Sequence, residues 1–135
     1  MNRDRLADTY RAYIDCLNAR DWPRLGEFVA EGVRHDGRPL GLAGYRAMLE
    51  ADVRAIPDLR FEIARLACDP PIVASRLLFD CTPAGELFGL RVDGRRVRFS
   101  ENVFYEFDQG RIREVWSVID KAAIAAQLRD AAGTA

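Results

Sequence analysis

The sequence predicts an α+β domain in which one curved, mainly antiparallel sheet wraps around three N-terminal helices, with a short helix closing the chain. Apolar residues recur at helical spacing as far as Pro57, and from Leu59 onward the period changes to two. The third observation is the stretch Val97 to Asp120, where the Gln109-Gly110 pair reads as a two-residue turn joining two long strands. A sheet that curls around helices leaves a pocket at its open end.

Leu6, Tyr10, Tyr13, Ile14 and Leu17 share one helical face, so residues 3–20 form an amphipathic helix whose apolar side is rich in tyrosine. Asp21 reads as the N-cap of a short second helix from Trp22 to Val29, with Pro23 in its first turn. Val33 to Asp36 is a brief strand ending at Gly37. Leu42, Tyr45, Leu49, Val53 and Ile56 then mark a third helix that stops at Pro57, which cannot continue it. Leu59, Phe61, Ile63 and Ala67 alternate with polar residues in a half-buried strand that breaks at Pro70-Pro71, and a further strand runs from Ile72 to Thr82. Pro83 to Gly94 reads as a loop with a short extended piece at Glu86 to Leu90. After the hairpin comes a helix from Lys121 to Leu128, with the tail from Arg129 expected to fray.

The turn fixes a register. Asp108 faces Arg111, and counting back gives Phe107 with Ile112, Tyr105 with Glu114, Val103 with Trp116, Glu101 with Val118 and Phe99 with Asp120, all on one largely apolar face. Glu101 and Asp120 are then diagonal neighbours, about 7 to 8 Å apart between Cα atoms. Two carboxyls in an apolar cavity should not both ionise normally: burial raises both pKa values and repulsion raises one further. The helix that follows Asp120 favours its charged form, which makes Asp120 the base and Glu101 the acid.

Each candidate also has a purely structural reading. Asp120 suits an N-cap, worth about 1 kcal/mol. Glu101 could form a buried ion pair with an arginine, Arg76 on a neighbouring strand being one partner. His35, the only histidine, could be a satisfied structural residue or a base titrating near neutrality. Tyr13, Tyr45 and Trp116 are expected to line the cavity with Val103, Val118 and Phe99, or to serve only in packing.

The 135 residues fit one domain spanning 1–135, long enough for a core without disulfide or metal. Hydrophobic content of 49%, 30% charged residues and a net charge of −1 leave no electrostatic footprint for nucleic acid or an anionic membrane. No run approaches the about 20 apolar residues of a membrane span, and the charged start MNRDRLADTY is unlike a signal peptide, so a cytoplasmic protein is expected. Cys16, Cys68 and Cys81 are odd in number and widely spaced, which fits reduced thiols, and a single histidine argues against a His-rich metal site.

The order of elements, with Ile56-Pro57-Asp58-Leu59, Gly85-Glu86-Leu87-Phe88-Gly89, Asp93-Gly94-Arg95 and above all the run from Asp108 to Asp120, DQGRIREVWSVID, resembles the SnoaL-like polyketide cyclases and ester cyclases of the NTF2-like superfamily. The resemblance implies a cone-shaped α+β barrel, usually dimeric, with an apolar cavity and no cofactor. In it the Asp ending the last strand, matching Asp120, acts as acid/base in an intramolecular aldol closure. The chain departs from the pattern twice. Val97 to Phe107 holds no histidine, and a G-T-H-x-G turn reads Cys81-Thr82-Pro83-Ala84-Gly85.

The expected function is cofactor-independent acid/base chemistry (cyclisation, isomerisation or hydration) on a small, largely apolar carbonyl or lactone compound, with a non-catalytic ligand-binding module as the alternative. A homodimer is expected through the outer sheet face carrying Arg98, Ser100, Asn102, Phe104 and Glu106.

Overall fold

The computed structural model describes the backbone of residues 1–133 and the side chains of residues 1–130. Helix α1 (Arg3–Asn18) begins where the Asn2 side chain accepts a hydrogen bond from the Arg5 amide at 2.8 Å, which satisfies one of the amides a helix start leaves open. Its inward residues Leu6, Tyr10, Tyr13, Ile14 and Leu17 are all buried. Trp22–Glu27 is a six-residue 3₁₀ helix, so the three expected helices are two α-helices with this short one between them, ending before the expected Val29. Asp21 makes no side-chain cap there. Strand β1 (Val29–His35) starts four residues before the expected Val33, because the chain straightens right after the short helix and Val29 pairs with the last strand.

Helix α2 (Gly41–Ala55) is followed by β2 (Glu62–Asp69), β3 (Ile72–Cys81), a miniature hairpin of β4 (Glu86–Leu87) and β5 (Leu90–Arg91), then β6 (Val97–Asp108), β7 (Arg111–Ile119) and α3 (Lys121–Gly133). The main sheet has the order β1-β7-β6-β3-β2, with β1 parallel to β7 and every other pair antiparallel. Tyr10 and Tyr13 of α1 lie with ring centroids 5.0 and 5.8 Å from Tyr105 of β6, which places the helix on the concave face. Helix α3 does not fray at Arg129 but continues to Gly133; Thr134 and Ala135 lie outside the described residues. Gln127 clips it to the sheet, accepting from the Arg98 amide at 2.8 Å and donating to the Arg98 carbonyl.

Two bulges shift the faces of their strands. On β7, Asp108 pairs with Arg111 and Phe107 with Ile112 as expected, but Glu106 then pairs with Glu114, leaving Arg113 as an extra residue. Every later side chain changes sides. Val115, Ser117 and Ile119 face inward, while Trp116, Val118 and Asp120 face out. On β2 the extra residue is Ala64, so Leu66 and Cys68 turn inward and Ala67, expected inside, is exposed. No described helix is long and apolar enough to cross a membrane.

Candidate active site

The concave face and the two α-helices enclose a cavity of about 260 Å³ whose walls include Tyr13 of α1, Tyr45 and Asp52 of α2, and Glu101 and Tyr105 of β6. His35 and Asp36 enter from the end of β1, Ser117 from β7 and Lys121 from the start of α3. Asp36 sits at φ 49° and Gly37 at φ 80°, a tight reversal closed by paired His35 and Arg38 backbone bonds of 2.9 Å each. This turn aims His35 into the cavity and sends the Asp36 carboxylate across to the Ser117 amide, which donates to it at 2.9 Å.

Glu101 points inward and is clamped by no guanidinium. Arg76 lies on the other face of its strand, donating to Asn102 at 3.2 Å. The Glu101 partner is the Ser117 hydroxyl, which donates to Oε2. Burial raises the pKa of Glu101, the Ser117 hydroxyl tempers the rise, and the charges of Asp52 and Asp36 add to it. Asp52 stands at the mouth, and protein around its carboxyl raises its pKa to about 6, an effect that water at the rim reduces without reversing. At His35 burial lowers the pKa from 6.5; Asp36 opposes this and Arg38 reinforces it. Asp36 Oδ2 lies 3.5 Å from His35 Nδ1, beyond hydrogen-bond length, and that buried nitrogen has no partner. The Tyr13 and Tyr45 hydroxyls bond each other at 2.7 Å in the floor, and burial raises the pKa of both.

The expected site is thus partly assembled and partly redistributed. Glu101, His35, Tyr13 and Tyr45 line the cavity. Asp120 does not: it is exposed beside a groove on the outer face and caps α3 by accepting from the Ala123 amide at 3.1 Å, because the bulge at Arg113 reverses its side. Trp116 and Val118 are displaced for the same reason, 42% and 71% exposed on the outer face. Val103 faces inward but is packed into the core away from the cavity surface, and Phe99 lines a side annex instead of the main chamber. Two further carboxyls, Asp36 and Asp52, line the cavity without having been expected there. Asp52 falls three residues after Leu49 and four before Ile56, an acid set into an apolar stripe, and Asp36-Gly37 after a strand is a turn signal.

Asp52 provides a test by its sign. A carboxyl whose folded pKa is raised contributes stability below its unfolded pKa and loses that contribution as pH rises through the folded value, here from 3.8 to about 6. Asp52→Asn, neutral throughout, should melt higher than wild type at pH 8 and level with it near pH 3. Equal melting temperatures at both pH values in calorimetry would contradict the burial assigned to this group.

The curved five-stranded sheet wrapped over the N-terminal helices, with a short C-terminal helix, is the NTF2-like fold. The family model for SnoaL-like polyketide cyclases matches residues 7–128, and the chain belongs to that family. Among solved structures it is similar to a SnoaL-like polyketide cyclase from Agrobacterium tumefaciens, with 53% identity over 95% of this chain and 99% of that one and a TM-score of 0.91. TsrD from Streptomyces laurentii shares the fold at 19% identity, TM-score 0.83, covering 95% of this chain and 97% of that one. IdmH from Streptomyces antibioticus does so at 21% identity, TM-score 0.79, over 91% and 97%. No curated protein matches the sequence.

Proposed function

We propose that the protein is a cofactor-independent acid/base enzyme of the cyclase type, acting on a small, largely apolar carbonyl compound, with His35 as base and Glu101 as acid. The observation that carries this reading is the convergence on one cavity of a histidine whose pKa is lowered and a carboxyl whose pKa is raised. A neutral imidazole takes a proton from the carbon next to the carbonyl, and the Asp36 carboxylate beside it stabilises the imidazolium that forms. The Glu101 carboxyl, its Oε2 engaged by Ser117, gives a proton to the carbonyl oxygen as the enol develops. An enol held out of water can then close a ring or reprotonate elsewhere, which is cyclisation or isomerisation. Enolisation of benzoylacetone, followed by ultraviolet absorbance, tests the chemistry with a simple diketone. The reading expects saturable catalysis by the protein, and a rate equal to that of a denatured control would leave a binding module.

We also propose a homodimer through the outer sheet face. Phe104 and Trp116 are Cα partners there, 55% and 42% exposed, beside Val118, and a contiguous apolar patch of this kind marks an interaction surface. Light scattering at micromolar concentration should give twice the chain mass for wild type and the chain mass for Phe104→Glu. A monomeric wild type refutes the interface.

A further inference from the structure

Next to the main cavity lies an annex of about 90 Å³ with different chemistry. Its walls are mainly apolar, with Phe61, Phe79, Phe88, Phe99, Ile56 and Leu87, and Asp52 and Glu101 stand at its edge. Phe79 stacks on Phe99 at 5.0 Å and meets Phe61 edge-on at 5.5 Å, so the aromatic wall is preformed. Phe88 closes it from the tip of the β4–β5 hairpin, where it is held at φ 52° with its ring edge-on to Phe99 at 6.2 Å. Away from Asp52 and Glu101 at its junction with the main cavity, the walls hold no hydrogen-bonding side chain, and water needs two to four polar partners to be retained, so an apolar group should displace it at a gain. Glu101 and Asp52 border both chambers, as do Phe61, Phe88 and Ile119. A ligand occupying both chambers passes Glu101 at the junction.

From this juxtaposition we infer that the substrate is a small carbonyl compound of one ring, or of a short branched alkyl group, whose apolar end seats in the phenylalanine annex while its carbonyl carbon lies beside Glu101. The size follows from the volumes: about 260 Å³ in the main cavity and about 90 Å³ in the annex together fall at the low end of the 300 to 1,000 Å³ typical of ligand pockets, and the annex has room only for a small apolar group. The inference deepens the acid/base reading and rests on it for the role of Glu101, whereas the placement of the apolar group is a matter of binding alone.

The test uses acetylacetone and benzoylacetone, which share a diketone head and differ by a phenyl ring. Dissociation constants are measured by calorimetry or ligand-detected NMR for wild type and for two variants that fill the annex from opposite sides, Ala55→Leu from the end of α2 and Leu87→Phe from the hairpin. Thermal melting confirms that each is folded, and either one suffices. Wild type should prefer benzoylacetone by about tenfold or more, the value of burying one ring, and a filled annex should abolish that preference while leaving acetylacetone binding unchanged. A preference that survives in a folded variant, or a wild type with none, overturns the inference. So does loss of both ligands, since the annex would then not be a separate subsite. Absence of turnover with normal binding would count against the acid/base reading and leave the subsite standing.

Discussion

Glu101→Gln is expected to slow enolisation of benzoylacetone about 100- to 10,000-fold, the span typical of losing one general acid or base, with the fold retained. The amide keeps the shape of the carboxyl and can still receive the Ser117 hydroxyl, but it has no proton to give. Stability should move the other way. Burial raises the Glu101 pKa, so its neutral form stabilises the fold at low pH and that contribution is lost as pH rises through the folded value. The Gln variant stays neutral and should melt at or above wild type in alkaline buffer. Its rate should also lose the alkaline limb of the pH profile, where wild type falls as Glu101 ionises. A variant that is inactive because it has unfolded would fail the melting comparison.

His35→Gln should cost a similar 100- to 10,000-fold and erase the opposite limb. Burial holds the imidazole pKa below 6.5, so wild-type activity should climb as pH rises through that depressed value and the base becomes free. The sign for stability follows from the same shift. Protonating the buried ring opposes folding, so wild type loses stability as pH falls through the folded pKa, and the Gln variant should not. Stopped-flow rates between pH 5 and 9 check both limbs. If the acid limb persists in His35→Gln, the base is another group.

The helices were legible because apolar residues recur at helical spacing: Leu6, Tyr10, Tyr13 and Leu17 on α1, and Tyr45 and Leu49 on α2, are buried as that spacing requires. The hairpin turn was legible too, since Gln109 at φ 50° and Gly110 at φ 79° adopt the geometry that such a pair predicts. The far end of the hairpin was not. From Val115 to Ile119 apolar residues occupy both parities, so a period-two reading cannot detect one extra residue at Arg113. Only the polar residues differ between the two registers. The observed one sends Glu114 out toward Arg34, 3.4 Å away, and Ser117 in toward Glu101. That single slip decides which groups face the cavity, because it removes Asp120 from it and brings a hydroxyl to Glu101. Asp36 and Asp52 were hidden for a different reason: their placement depends on a turn and a helix rotation that join distant parts of the chain.

The claim on which the account depends is that the acid of this site is Glu101, inside the cone, and not the strand-end Asp120. Turnover of benzoylacetone by Asp120→Asn, measured beside Glu101→Gln in one buffer, tests it most directly. Asn caps a helix about as well as Asp, so this variant should fold and keep the wild-type rate while Glu101→Gln loses at least about 100-fold. An Asp120→Asn protein that folds and is as slow as Glu101→Gln would contradict the account.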